Sequence, residues 1–363
     1  MKIANRYKPF SHSPGTTCFI PGTSCEVRAY PTAVFVGTLQ IEWKLTGLIK
    51  DFTLVQDLER GEVNIYGFAK EGYFSYTLFH KEGWIVVQLD RALQGFLKGY
   101  VQEPSVHEIF LQPKERLSLK SMSLECGIVC KDQSRGLERI SFGNHKAQEW
   151  ESIRRRKNPL EYLPFWFALG QQIPCGKIEE IQGTLPQLEL CKQALQRGDK
   201  ELCLQQLGEL FEVGFDTLLM PKLYDTEYLG ISALKPGRAT EVRPLALLKE
   251  GYELIRAMLF EVKEEKIFLL PHVSEIMHAG RCLNFCMDQA SFHIEWSKKL
   301  LKKVYITSHA KQRLHLCFQK PLKSFRLRKH LSEKRRGYCS EEHLCGDPIE
   351  LERGEYLLDQ FKK

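Results

Sequence analysis

The side chains best equipped for chemistry are carboxylates: Glu149, Glu151, Glu179, Glu180, Glu212, Asp216, Asp225 and Glu227 fall within one stretch of the 363-residue chain. Cleaving a glycosidic bond takes two carboxyls facing one bond, at a separation that decides between retention and inversion. Asp225 and Glu227, in Leu-Tyr-Asp-Thr-Glu-Tyr, are the catalytic candidates, because they fall between two helical patterns with aromatics alongside. Loops are where site residues concentrate. Two acids in a solvated loop are also ordinary surface, so spacing alone assigns them no role.

A second group is the run Tyr162-Leu-Pro-Phe-Trp166-Phe, followed by Gln171 and Gln172. Flat rings suit sugar faces and amides suit hydroxyls, which makes Tyr162, Trp166 and Gln171 candidate ligand contacts. At helical spacing the same rings build the interface between layers of a core.

Charge gives a third. Residues 297–336 hold fourteen Lys and Arg against a single acid, Glu333, whereas the whole chain carries only +7, so the remainder is acidic. Lys302, Lys303, Lys311, Arg326, Arg328, Arg335 and Arg336 are candidates for a nucleic-acid or other polyanion surface, since each neutralised phosphate releases counterions. Yet in Leu314-His-Leu-Cys-Phe and Ser324-Phe-Arg-Leu-Arg polar and apolar residues alternate, as on a half-buried strand with one wet face.

Twelve cysteines run from Cys18 to Cys345, many inside apolar strings, where a thiol acts as a small buried hydrophobe. The close groups Cys126 with Cys130, Cys282 with Cys286, and Cys339 with His343 and Cys345 match zinc-ligand spacings poorly. His272 and His278 lack a third ligand. Reduced thiols and no metal are the expectation. The sequence has no Gly-x-Gly-x-x-Gly, Walker loop, Gly-x-Ser-x-Gly or His-Glu-x-x-His, so no cofactor and no common hydrolase chemistry is expected.

These residues need elements to position them, and the hydrophobic period supplies three blocks. From Cys18 to about Val129 the pattern is β, with seven short strand patterns punctuated by Pro21-Gly22, Gly37, Gly47, Arg60-Gly61, Gly72 and Glu82-Gly83, as in an antiparallel sandwich. Between His145 and Val262 the period is helical: a pattern broken at Asn158-Pro159, a hairpin turning at Gly198-Asp199, and a helix from Pro244. After Lys266 short strands return. The fold class expected is α+β multidomain, with an N-terminal antiparallel β-sandwich (1–143), an all-α helical middle (144–266) and a small C-terminal β-domain (267–363). No run of eighteen uncharged apolar residues and no secretory pattern is present, so the expectation is a soluble cytoplasmic protein without a membrane partner.

Leu269-Leu-Pro271, Gly280, Phe292-His-Ile-Glu-Trp296, Leu300 and Val304-Tyr-Ile resemble the C-terminal stretch of six-hairpin glycosidases of the α-L-fucosidase kind. The order of parts is similar too. The motif covers about forty residues. A complete six-hairpin barrel needs twelve helices in about 300 residues, whereas Asn144 to Lys266 offers 123. The resemblance therefore implies a reduced helical domain, and no catalytic residue of that family aligns here. It implies a protein that binds oligosaccharide or acts as a scaffold rather than a standard hydrolase. An active but divergent glycoside hydrolase and a polyanion-binding interaction protein are the alternatives. A homodimer is a further expected assembly, because half a barrel leaves an apolar helical face to cover.

Overall fold

The structure, a computed structural model, describes residues 1–7, 15–92, 95–103, 105–120, 136–174, 184–222, 245–287, 289–330 and 338–363. Asp225, Glu227, Arg335 and Arg336 lie outside the described residues, as do Glu179, Glu180, Cys126 and Cys130.

The seven expected N-terminal strands all form, and Gly22, Gly37, Gly47, Gly61, Gly72 and Gly83 between them have φ from 59° to 120°, a region that glycine enters without a Cβ penalty. One sheet runs in the order Arg116–Lys120, Trp84–Ala92, Gly72–Lys81, Glu62–Ala69, Lys50–Asp57, Lys2–Arg6, Ala147–Glu149. A second runs Ser105–Leu111, Leu97–Glu103, Leu39–Trp43, Ala33–Val36, Glu26–Ala29, Thr16–Phe19. The sheets face each other: the Trp43 and Tyr76 rings meet at 5.2 Å, and Gln56 Nε2 donates to the Phe19 carbonyl at 2.8 Å. Pairing within these two sheets is antiparallel except where Ala147–Glu149 lies parallel to Lys2–Arg6, a strand too short and polar to be read from its pattern.

Five α-helices follow among the described residues: α1 Trp150–Arg156, α2 Pro159–Gly170, α3 Leu185–Gln196, α4 Lys200–Gly214 and α5 Leu245–Leu259. The Asn158-Pro159 break separates two helices. Lys157 turns left-handed at φ 50°, and the Asn158 side chain accepts from Leu160 N, capping α2, while Pro159 occupies a position whose N–H would be unpaired anyway. Gly198 closes α3 at φ 78° and Asp199 caps α4 through Leu202 N. Every residue of α2 from Tyr162 to Gly170 is buried; a helix apolar all round belongs inside. Its close crossing with α5 depends on two glycines. A Cβ on Gly170 would lie 2.3 Å from Leu248 O, and one on Gly251 would lie 2.3 Å from the Trp166 ring.

The last third forms a seven-stranded sheet (Arg139–Ser141, Ala279–Met287, Ala290–Ser297, Leu300–Ser308, Gly354–Lys362, Ser324–His330, Tyr338–Leu344) and a four-stranded one (Phe260–Lys263, Lys266–Leu269, Gln312–Phe318, Pro348–Leu351).

 The strand Arg139–Ser141 pairs with Ala279–Met287, and Phe260–Lys263 runs on directly from α5, so both sheet memberships cross the sequence boundaries drawn at 143 and 266. One partly buried ion pair fixes the first of these crossings. The Glu138 carboxylate accepts from Arg256 Nε at 2.8 Å, Arg256 Nη2 at 2.9 Å, Tyr252 OH at 3.1 Å and Cys286 N at 3.1 Å. Desolvation of an ion pair is offset only when such partners are complete. The Gly280 and Trp296 spacing also has a packing cause: they are cross-strand partners, a Cβ on Gly280 would lie 2.4 Å from the Trp296 ring, and Trp296 Nε1 donates to Met277 O at 2.9 Å.

Candidate ligand-binding cleft

The aromatic run of α2 does not form a surface platform. Tyr162 is 1% exposed and Trp166 is wholly buried. Tyr162 stacks on Phe211 with ring centroids 3.9 Å apart, and Trp166 meets Phe215 edge-on at 4.7 Å. Gln171 is engaged by the backbone: its Nε2 donates to Glu138 O at 2.7 Å and its Oε1 accepts from Glu138 N at 3.1 Å. The helical period had two readings, and burial selects the core one.

The basic segment is also rearranged by folding. Arg326 donates to Asp359 through Nε at 2.9 Å and Nη2 at 3.1 Å, and Arg328 pairs with the same carboxylate. Lys311 lies 3.5 Å from Glu352. Lys302 and Lys303 are exposed, but Lys303 is the cross-strand partner of Glu295, which Arg281 also holds at 3.2 Å. The basic strands lie beside strands that carry acids. A charge run in sequence thereby becomes an alternating surface in the sheet.

The described carboxylates among the catalytic candidates are scattered. Glu149 lies near Arg6 and Glu212 pairs with Lys157 at 2.6 Å. A groove of about 510 Å³ beside α3 and α5 is bordered by three acids that the sequence reading did not single out, Glu250, Glu253 and Glu261. Each has a lysine partner: Lys192, Lys249 at 3.8 Å and Lys263 at 2.8 Å, respectively. No group of three His, Cys, Asp or Glu side chains among the described residues could hold a metal ion. No helix among them is long and apolar enough to cross a membrane.

The N-terminal sheets open differently at one end. There, a cleft of about 260 Å³ lies between the start of Gly72–Lys81, the loop after Leu39–Trp43 and the start of Leu97–Glu103. Its walls include Leu45, Tyr73, Phe74, Phe96 and Leu97, and its polar members are Lys44, Thr46, Glu71 and Lys98. Strand alternation explains the arrangement. Phe74 and Leu97 point into the core, whereas Tyr73 is half-buried and Phe96 is 45% exposed. Gly99 lets its strand approach closely, since a Cβ there would lie 2.8 Å from the Trp43 ring.

The polar groups are ordered by one another. Glu71 accepts from Thr46 N at 3.0 Å and from the Thr46 hydroxyl, and these hydrogen bonds hold its carboxyl below the usual carboxylate range. Lys98 pairs with Glu108, which raises the lysine and lowers the acid. Hydrogen bonding to the charged form is the cause in each case. Apolar rings beside a few fixed polar groups make a binding site for a ligand with both kinds of surface; no nucleophile and base converge there. The sequence reading gave Tyr73 and Phe96 no role, because their meeting depends on segments more than twenty residues apart. No protein-family model matches the chain, and no curated protein matches it either.

Proposed function

We propose that the chain is a glycosidase-like, carbohydrate-binding protein in which a reduced helical part lies between an N-terminal β-sandwich and a C-terminal β-rich part. Its ligand site is the cleft bordered by Tyr73 and Phe96. The observation that carries this reading is the cleft itself: two partly exposed rings across a hollow of about 260 Å³, with Thr46, Glu71, Lys44 and Lys98 at its edge. A pyranose offers an apolar face to a ring and hydroxyls to such groups, and aromatic contacts of this kind combine area with orientation. Binding without turnover is favoured because the carboxylates of the helical groove are engaged by lysines.

The test is calorimetric titration of the purified chain with neutral oligosaccharides, repeated with Tyr73→Ala and Phe96→Ala. The reading predicts saturable heat that either substitution removes. Heat from heparin or DNA alone, abolished by Lys302→Ala with Lys303→Ala, would replace it with the polyanion reading.

A further inference from the structure

The cleft belongs to a longer row of rings. Phe68 lies 5.2 Å from Tyr73 on one side, and Phe110 lies 6.1 Å from Phe96 on the other. Phe68, Phe96 and Phe110 are 46%, 45% and 53% exposed. Scattered exposed apolar side chains need no explanation, but rings gathered around one opening mark a contact surface. The outer ring is also held in place: Lys98 Nζ sits 4.8 Å from the Phe110 centroid while its charge pairs with Glu108.

Charge narrows the occupant. Lys98 is balanced by Glu108, and the Glu71 carboxylate is engaged by Thr46 opposite Lys44. Lys44 and Lys98 are matched by Glu71 and Glu108 at the cleft edge, which suits an uncharged partner. Two ring pairs meeting at one cleft, Phe68 with Tyr73 and Phe96 with Phe110, match a chain better than a single sugar. We infer that, on the carbohydrate reading above, the ligand is a linear neutral oligosaccharide or polysaccharide bound as consecutive pyranose rings over Tyr73, Phe96 and Phe110. The cleft receives one ring, and Phe110 receives a neighbour. Because stacking uses ring faces that every pyranose presents, this row sets chain length, while Thr46, Glu71 and Lys44 select among sugars.

Affinity measured against chain length tests this directly, using neutral mono-, di-, tetra- and hexasaccharides of one series. The expected result is a rise in affinity with length that then levels off. Phe110→Ala should weaken the hexasaccharide about tenfold, the scale of one good ring contact, and leave the monosaccharide unchanged. A hydrogen-exchange or dichroism comparison establishes that the variant is folded. Equal affinity for mono- and hexasaccharide, or loss of both in Phe110→Ala, overturns the chain inference and leaves the cleft reading standing. Binding confined to sulfated or carboxylated chains overturns the neutral-ligand assignment. No binding at any length overturns the cleft reading and this inference with it.

Discussion

Two of the molecule's aromatic clusters fold into opposite circumstances. Around α2, Trp150, Tyr162, Trp166, Phe211 and Phe215 are each no more than 3% exposed and pack ring against ring. At the open end of the sandwich, Phe68, Phe96 and Phe110 keep about half of their surface in water. The same residue types thus serve cohesion in one place and contact in the other, and what separates them is the geometry of the supporting element. A helix enclosed by neighbours buries every direction its side chains take. A strand presents alternate residues to opposite faces, and at the end of a sheet one face runs out of partners.

That contrast can be broken by substitution, and the largest effect belongs to the buried cluster. Trp166→Ala should cost about 3–5 kcal/mol of stability, the range for removing a large core aromatic. Urea unfolding measures it, and a loss under 1 kcal/mol would mean that α2 is not the centre of the helical core. Next comes the polar tie between that core and the C-terminal sheet. Glu138→Gln leaves the shape but weakens the bonds from Arg256 and Tyr252, so a loss of about 1.5–3 kcal/mol is expected; an unchanged midpoint would show that the Arg139–Ser141 strand is held by its ladder alone.

Protonation gives a smaller, shared effect. Burial pulls His272, beside α5, and His80, in the sandwich, below the ordinary histidine value of 6.5. Below about pH 6.5 the unfolded chain takes up protons that the folded chain resists. Stability from both groups is therefore complete above that pH and declines as pH falls. The urea midpoint should be lower at pH 5.5 than at pH 7.5, and His272→Gln with His80→Gln should narrow the difference; an equal difference in wild type and variant would assign it to other groups. Smallest of all, Phe96→Ala should change stability by no more than about 0.5 kcal/mol, as for a surface position. A loss near that of Trp166→Ala would make Phe96 a core residue and remove the contrast.

Local signals in the sequence carried much of the fold. Asn158-Pro159, Gly198-Asp199 and the turn glycines act through their own backbone, so their effects are visible in a short window. Pairing across long separations is a different matter. The parallel strand Ala147–Glu149 and the strand Ala279–Met287, bulged between Cys282 and Phe285, show little alternation. They are strands because a neighbour is present to pair with them. The candidate site was less legible still. Tyr162, Trp166 and Gln171 carry suitable chemistry, but burial, which sequence leaves open, assigns the two rings to the interior, and the Glu138 backbone engages Gln171. The basic run from Lys302 to Arg328 hid its partners, because Asp359 arrives from a later strand and Glu352 from the turn before it. Tyr73 and Phe96 gave no signal alone, since a cleft exists only between elements.

The central claim is that the open cluster, and not the buried one, meets the ligand. Titration calorimetry of a neutral hexasaccharide series against wild type and Phe96→Ala at physiological salt tests it most directly. The account predicts saturable binding to the wild type and its loss in a variant of unchanged stability. Undiminished binding to Phe96→Ala would contradict it.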